Sequence, residues 1–147
     1  MSFKEKNLQL LSLYRLQHDL SNHIDGASFA EDKGLLTEEE QTDLLLNKTE
    51  FEGVEKQVLV LREELLLNYP KEYIDFLTLM HKNLTSIQKQ LSTAQGEVTF
   101  KTNFNKTLCH SLLQDFSKLI QGKTIKNPYY WLFDVAQSLQ EEYPQSL

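Results

Sequence analysis

The segment His18-Asp19-Leu20-Ser21-Asn22-His23-Ile24 contains residue types whose spacing could perform chemistry. In a helix, Asn22 would lie one turn beyond His18 on the same strip. An imidazole is a nucleophile when one ring nitrogen is free, and the carboxylate of Asp19 could hold the proton on the other nitrogen. The segment therefore predicts a histidine that can accept a phosphoryl group, with Asp19 and Asn22 beside it.

The apolar residues around this segment predict how His18 is presented. From Leu10 to Ile24 they recur at helical spacing, which predicts a first helix that begins with a capping box at Ser2 and ends at Gly26. His18 projects just beside the apolar stripe of this helix. A histidine in that position is oriented by the core and remains open to a docking protein, so we expect His18 to be accessible to solvent.

The sequence His18-Asp19-x-x-Asn22-His23-Ile24, preceded by residues 10–17, resembles the H-box helix of two-component sensor kinases. It is most similar to the His-Asp-x-x-Asn-His form of sporulation-type histidine phosphotransferases. The resemblance implies that His18 is the phosphoaccepting histidine, Asp19 its acidic neighbour and Asn22 the polar residue one turn on. It also implies a hairpin of two long helices, which residues 2–68 are long enough to form, dimerising into a four-helix bundle.

Two further long helices are predicted by heptad spacing. A capping box at Thr37 opens the first of them, which reaches about Asn68, and Pro70 opens the second. The apolar residues of 51–65 and of 73–91 each form a continuous seam. Because the connection at 68–70 is tight, we expect the two seams to face one another in an antiparallel hairpin.

The C-terminal third of the chain predicts two shorter helices. Residues 98–100 alternate like a strand too short to form a sheet, and we interpret them as an extended linker after a turn at Gly96. A fourth helix follows and stops at Gly122, and a fifth begins with Asn127 as cap and Pro128 in its first turn, ending before Tyr143. The predicted fold is all-α, a four- or five-helix bundle built on the long antiparallel hairpin.

Length and charge restrict the organisation and the partners. The 147 residues suit a single domain over 1–147, and the long seams favour a homodimer. A net charge of −6 argues against nucleic acid as a partner. Residues 31–65 contain eleven acidic and four basic side chains, which are either a solvated helix face or a surface that docks a basic protein.

The expected location is the cytoplasm. Residues 1–6 have no apolar signal region, and no stretch approaches the roughly 20 apolar residues that span a bilayer, so we expect no membrane partner. The single cysteine, Cys109, cannot form an internal disulfide, which agrees with a reducing compartment. We expect Cys109 to be buried.

Other residues that could bind a metal, a cofactor or a protein add little to the predicted function. The histidines do not have the spacing of a helical metal site, so no metal is expected, and no cofactor motif occurs because the five glycines are scattered singly. The aromatic residues of 129–133 are either core or a protein-binding hot spot.

Two functions follow from these features. The first is an interaction protein without enzymatic activity, a small acidic helical module acting as an adaptor, a regulator or an immunity-type protein. The second is a histidine phosphotransferase without its own kinase domain, which relays a phosphoryl group between signalling proteins through His18.

Overall fold

The computed structural model describes residues 2–93 and 99–144, and these residues form five α-helices and no strand. The all-α prediction is confirmed. The helices are α1 (Phe3–Asp32), α2 (Glu38–Asn68), α3 (Pro70–Thr93), α4 (Phe100–Ile120) and α5 (Tyr129–Glu142). The predicted turn at Gly96 lies outside the described residues.

The chain divides into two compact units, Met1–Tyr69 and Pro70–Leu147. That residues 1–147 act as a single domain stays a prediction. In the first unit α1 packs on α2, and in the second α3 packs on α4 while α5 contacts both. The first unit is therefore a helical hairpin and the second a three-helix bundle.

Capping sets the ends of the hairpin helices. The Ser2 hydroxyl accepts a hydrogen bond from the Glu5 backbone, and Thr37 and Glu40 form the complete capping box predicted at the start of α2. These hydrogen bonds lower the pKa of the Glu40 carboxyl. The end predicted for α1 at Gly26 is wrong, since α1 continues to Asp32 and Gly34 closes it with φ +69°. A helix tolerates an interior glycine at a cost of about 1 kcal/mol, whereas the left-handed residue after a helix favours glycine strongly.

Two polar contacts between α1 and α2 show that they run antiparallel. Near the open end Lys6 forms a salt bridge with Glu64, which raises the pKa of Lys6 through the hydrogen bond between them. Further along, the buried Gln17 amide donates to the Glu55 carboxylate. Between and beyond these contacts the buried apolar residues are Leu10, Tyr14, Leu20, Leu44, Val54, Val58, Leu61 and Leu65.

The three helices of the second unit enclose an aromatic core. Phe133 of α5 is 1% exposed and meets the buried Phe116 of α4 edge to face, with ring centroids 5.4 Å apart. The Phe76 and Tyr129 rings stack on Phe133 at 6.3 and 6.5 Å. Aromatic pairs at such distances add about 0.5–1.5 kcal/mol each beyond the area that they bury. This cluster joins all three helices of the unit.

Polar contacts give the directions of the helices in the second unit. Asn83 of α3 donates to Gln140 of α5 at 2.9 Å, seven residues beyond the Phe76–Phe133 stack on both helices, so α3 and α5 are parallel. Lys101 at the start of α4 pairs with Glu142 at the end of α5 at 2.6 Å, so α4 is antiparallel to α5. This hydrogen bond raises the pKa of Lys101.

The structure corrects the predicted partner of each seam. The buried residues Val54, Val58, Leu61 and Leu65 lie on the face of α2 that belongs to the hairpin with α1, and the buried seam of α3, from Tyr73 to Leu91, lies on the face that belongs to the bundle with α4 and α5. The predicted burial of the two seams is confirmed except at Phe51, which is half-buried, and the expected pairing of one seam with the other is wrong. Only Tyr69 separates α2 from α3, whereas helix–helix connections in bundles have about 2–8 residues. The segment between α1 and α2, residues 33–37, has a length suited to a hairpin.

Two boundaries in the C-terminal part also differ from prediction. Thr99 is extended, as expected for the linker, but its side chain caps α4, so Phe100 is helical; Val98 lies outside the described residues. Pro128 is the N-cap of α5, one residue later than predicted, because the Asn127 side chain donates to the buried Asp115 at 2.8 Å. The predicted stop at Gly122 is confirmed, with φ +74°.

Candidate functional site

The residues of the predicted phosphotransfer site all lie on α1. His18 is half-buried, while Asp19 and Asn22 are exposed. Because α1 is a regular helix here, Asn22 lies on the same strip as His18 one turn on, and Asp19 points away from that strip. The structure thus brings His18 and Asn22 together on one face, with Asp19 as a neighbour along the chain.

The surroundings of His18 combine a fixed polar contact with an open groove. Gln17, next to it in sequence, is held by Glu55 of α2. One turn further along α1, a groove of about 270 Å³ lies between the hairpin helices, with Ser21 and Ile24 on one side and Lys48 and Phe51 on the other. The hairpin therefore offers a concave surface next to the strip that contains His18 and Asn22, where a side chain of another protein could insert.

The turn of the hairpin concentrates exposed acidic and apolar side chains. We call residues 29–43 the hairpin tip. Phe29 and Leu35 are 66% and 69% exposed, and Lys33 stacks over the Phe29 ring at 4.8 Å. Around them six acidic side chains are exposed, which are Glu31, Asp32, Glu38, Glu39, Glu40 and Asp43. Apolar anchors surrounded by charge that is mainly of one sign, here six carboxylates and Lys33, are typical of a surface that recognises a protein of the opposite charge.

The second unit contains a serine–histidine contact that the sequence did not indicate. Ser117 Oγ of α4 lies 3.1 Å from His81 Nε2 of α3, beside a groove that His110 and Lys118 help to line. No spacing rule predicts this contact, since the residues are 36 positions apart. Ser117 lies inside α4, where backbone N–H groups are bonded within the helix and cannot stabilise an oxyanion. The contact is best explained as a hydrogen bond that joins two helices.

Cys109 has a structural environment, as predicted. Its side chain is buried in α4, and desolvation raises the pKa of the thiol to about 11 from an ordinary value of 9.0. A thiol is nucleophilic only as the thiolate, so this cysteine is unreactive near neutral pH. Adjacent residues of a helix point in different directions, which separates the side chain of Cys109 from that of His110.

The aromatic cluster of 129–133 combines the two environments considered for it. Phe133 belongs to the core, whereas Tyr129, Tyr130 and Trp131 are half-buried. One member therefore stabilises the fold, and the other three contribute part of their surface to the exterior of the second unit.

The described residues contain neither a metal-binding cluster nor a membrane-spanning helix. Within 2–93 and 99–144, no three or more His, Cys, Asp or Glu side chains are grouped so that they could hold a metal ion. None of the helices in this part of the chain is long and apolar enough to cross a membrane.

Comparison with family models, curated proteins and solved structures found no match to this chain. The candidate surfaces are the hairpin tip, with its exposed Phe29 and Leu35, and the strip of α1 around His18.

Proposed function

We propose that this protein acts by binding another protein, a basic one, through its hairpin tip. The observation that carries the proposal is the exposure of Phe29 and Leu35 among six exposed carboxylates. The apolar side chains would supply contact area at the centre of the interface, and the carboxylates would speed and orient the encounter. Adaptors, regulators and immunity-type proteins act in this way.

The charge distribution of the sequence supports this proposal. Residues 1–69 have fourteen acidic and seven basic side chains, a net charge of −7, whereas residues 70–147 have seven and eight, a net charge of +1. An excess this strong in one unit attracts a basic partner over a distance of about 8 Å at 0.15 M salt. We place the protein in the cytoplasm, in agreement with the free thiol of Cys109.

Two matched double variants test the hairpin tip. Glu39→Gln/Asp43→Asn removes two charges from the tip, and Glu72→Gln/Asp75→Asn removes two exposed charges from the start of α3. Partner proteins that the wild-type chain captures are purified. Their association rates with the wild type and with each of the two double variants are then measured at low and high salt. We expect a slower rate for the tip variant alone, with the difference disappearing at high salt. Equal rates for the two variants would reject the tip as the binding surface.

We also propose a second function, phosphotransfer through His18, because one observation favours it specifically. His18 lies on the first helix of an antiparallel hairpin, half-buried, with the exposed Asn22 one turn on and the exposed Asp19 next to it. A ring nitrogen of His18 would form an N–P bond while the donor's bond to phosphorus breaks, and the N–H proton of the imidazole would pass to solvent, with Asp19 as an acidic neighbour on the docking surface. A second protein would then accept the phosphoryl group.

His23 offers a matched control for this function, since it is exposed on the same helix. Wild type, His18→Gln and His23→Gln are incubated with phosphoramidate as donor, and phosphorylation is measured before and after acid treatment. We expect acid-labile phosphorylation that His18→Gln abolishes and His23→Gln retains. Labelling that survives acid, or that both variants retain, would refute a role for His18.

A further inference from the structure

The helix α2 has two apolar faces, and α1 packs on one of them. The other face contains Leu59, Val60, Leu66 and Leu67, which are 45%, 69%, 47% and 72% exposed. Leu59 and Leu66 are seven residues apart, as are Val60 and Leu67, so the four side chains form one stripe along two heptads. We call this surface the outer stripe. An apolar stripe of this kind is typical of a helix-packing surface, and in the part of the chain that the structure describes its four side chains are exposed.

Two charged residues lie along the centre of the outer stripe. Lys56 lies one turn before Leu59 and Val60, and Glu63 lies one turn after them. Both are exposed, and neither has a salt-bridge partner among the residues that the structure describes. Lys56 and Glu63 are therefore opposite charges at equal distances on either side of Leu59-Val60, the N-terminal pair of the stripe.

We propose that the outer stripe binds the outer stripe of a second copy of this chain, antiparallel, about a two-fold axis between Leu59 and Val60. In this arrangement Lys56 of each copy lies opposite Glu63 of the other, which forms two equivalent ion pairs. A parallel arrangement would place Lys56 against Lys56 and Glu63 against Glu63, and like charges in contact disfavour it. The pattern of charges thus selects both the partner and its direction.

The shape of the stripe agrees with the same arrangement. Leu66 of one copy lies opposite Gly53 of the other, and a Cβ added at Gly53 would meet nothing within 4 Å, so this part of α2 is open. From Val60 the apolar surface continues into a groove of about 440 Å³ between the hairpin helices, to which Leu13 of α1 contributes. The contact extends over residues 52–67 of each α2, about 24 Å of helix at 1.5 Å per residue, with Leu67 of one copy beside the exposed Glu52 of the other at each end. Such a contact is at the small end of specific interfaces, so we expect micromolar affinity.

The test uses the full chain and charge-swap variants. Sedimentation velocity from about 1 to 200 μM, a range chosen for an interface of this size, should show wild type approaching twice the chain mass of 17.2 kDa. Lys56→Glu and Glu63→Lys should each weaken dimerisation about tenfold or more, and the double variant Lys56→Glu/Glu63→Lys should restore it. Lys82→Glu makes the same charge change at an exposed position of α3 and should have no effect.

Val60→Asp tests the apolar part of the stripe at a side chain whose exposure makes unfolding of the hairpin unexpected. It should give a monomer with unchanged helix content by circular dichroism. A wild type that stays monomeric throughout the range would overturn the proposal, as would dimers that Val60→Asp leaves intact. Single charge variants without effect, or a double variant that does not restore the dimer, would also overturn it. Because Glu39 and Asp43 lie outside the interface, the tip variant should dimerise normally, which separates this result from that on partner binding.

Discussion

The two units use apolar residues differently. Among the described residues, ten of the fourteen exposed large apolar side chains lie in residues 2–69, and four lie in the second unit. A helix of the second unit meets two other helices, whereas a helix of the first unit meets only one within that unit. A two-helix hairpin can cover one face of each helix, so apolar residues on other faces remain exposed for partners. The second unit therefore covers its apolar residues more completely, and the first unit has the larger exposed apolar surface.

The largest effect on stability is expected at the aromatic core of the second unit. Phe133→Ala should lower the free energy of unfolding by about 3–5 kcal/mol, because it leaves a cavity among three aromatic rings. Urea denaturation measures the change. The control is Phe100→Ala, at a ring that is 87% exposed, which should stay within about 0.5 kcal/mol of wild type. If the two substitutions cost the same, the aromatic cluster is not the stabilising centre of this unit.

A smaller loss is expected in the first unit. Leu61 is on the buried seam of α2 but retains 9% exposure, so Leu61→Ala should cost about 2 kcal/mol, the lower end of the range for core leucines. Leu35→Ala, at a side chain that is 69% exposed in the hairpin turn, is the control and should change stability by less than about 0.5 kcal/mol. Thermal unfolding of both variants checks the prediction. A cost at Leu61 equal to that at Phe133 would contradict the contrast between the units.

The next smaller effect on stability is expected at the hydrogen bond between Asn127, just before α5, and Asp115 of α4. Asn127→Ala removes a donor from the buried Asp115 carboxylate, and a buried acceptor without its partner costs about 1–3 kcal/mol. Asn103→Ala, at an exposed position of α4, is the control and should be nearly neutral. Chemical denaturation compares the two. Loss of stability of the same size in both variants would show that the Asp115 contact is not the cause.

The smallest effect concerns the pH dependence of the second unit. The pKa of Cys109 is about 11 in the folded chain against an ordinary value of 9.0, so the folded state holds the thiol proton more tightly. The protonated thiol therefore contributes to the free energy of unfolding. This contribution is complete below pH 9 and is lost as the pH rises towards 11. Between about pH 8 and 9.5 wild type should lose less than about 1 kcal/mol relative to Cys109→Ala. Identical pH profiles of unfolding for the two proteins would contradict this assignment.

Local features of the sequence predicted the helices well. The capping box at Thr37 and the stop at Gly122 depend on contacts within a few residues, and the structure has both; at Ser2 it has the side-chain cap on the Glu5 backbone but not the reciprocal bond of a full capping box. The heptad spacing predicted the buried side chains of the two seams, from Phe51 to Leu65 and from Tyr73 to Leu91, correctly except at Phe51, which is half-buried. Spacing identifies the buried face of a helix but does not identify what covers it. For this reason the pairing of the two seams was predicted wrongly.

The candidate sites also combine features that the sequence predicted with features that depend on the fold. The placement of His18, Asp19 and Asn22 on one helix follows from their spacing, although the half-burial of His18 depends on the packing of the hairpin. The Ser117–His81 contact depends on how α3 and α4 align, so no local pattern indicates it. The exposure of Phe29, Leu35 and the outer stripe also required the fold, because an apolar residue in a sequence is ordinarily expected to be buried.

The polar pair of Gln17 and Glu55 has a consequence for the alignment of the hairpin. A seam of leucines and valines can accept a neighbour that has moved by one turn, about 5.4 Å, at little cost in apolar contact. The buried Gln17 amide is less tolerant, because such a slide would break its hydrogen bond to the Glu55 carboxylate. Each polar group left without a partner would cost about 1–3 kcal/mol. The pair therefore fixes the register of α1 on α2, and with it the position of the His18 strip relative to the groove beside it.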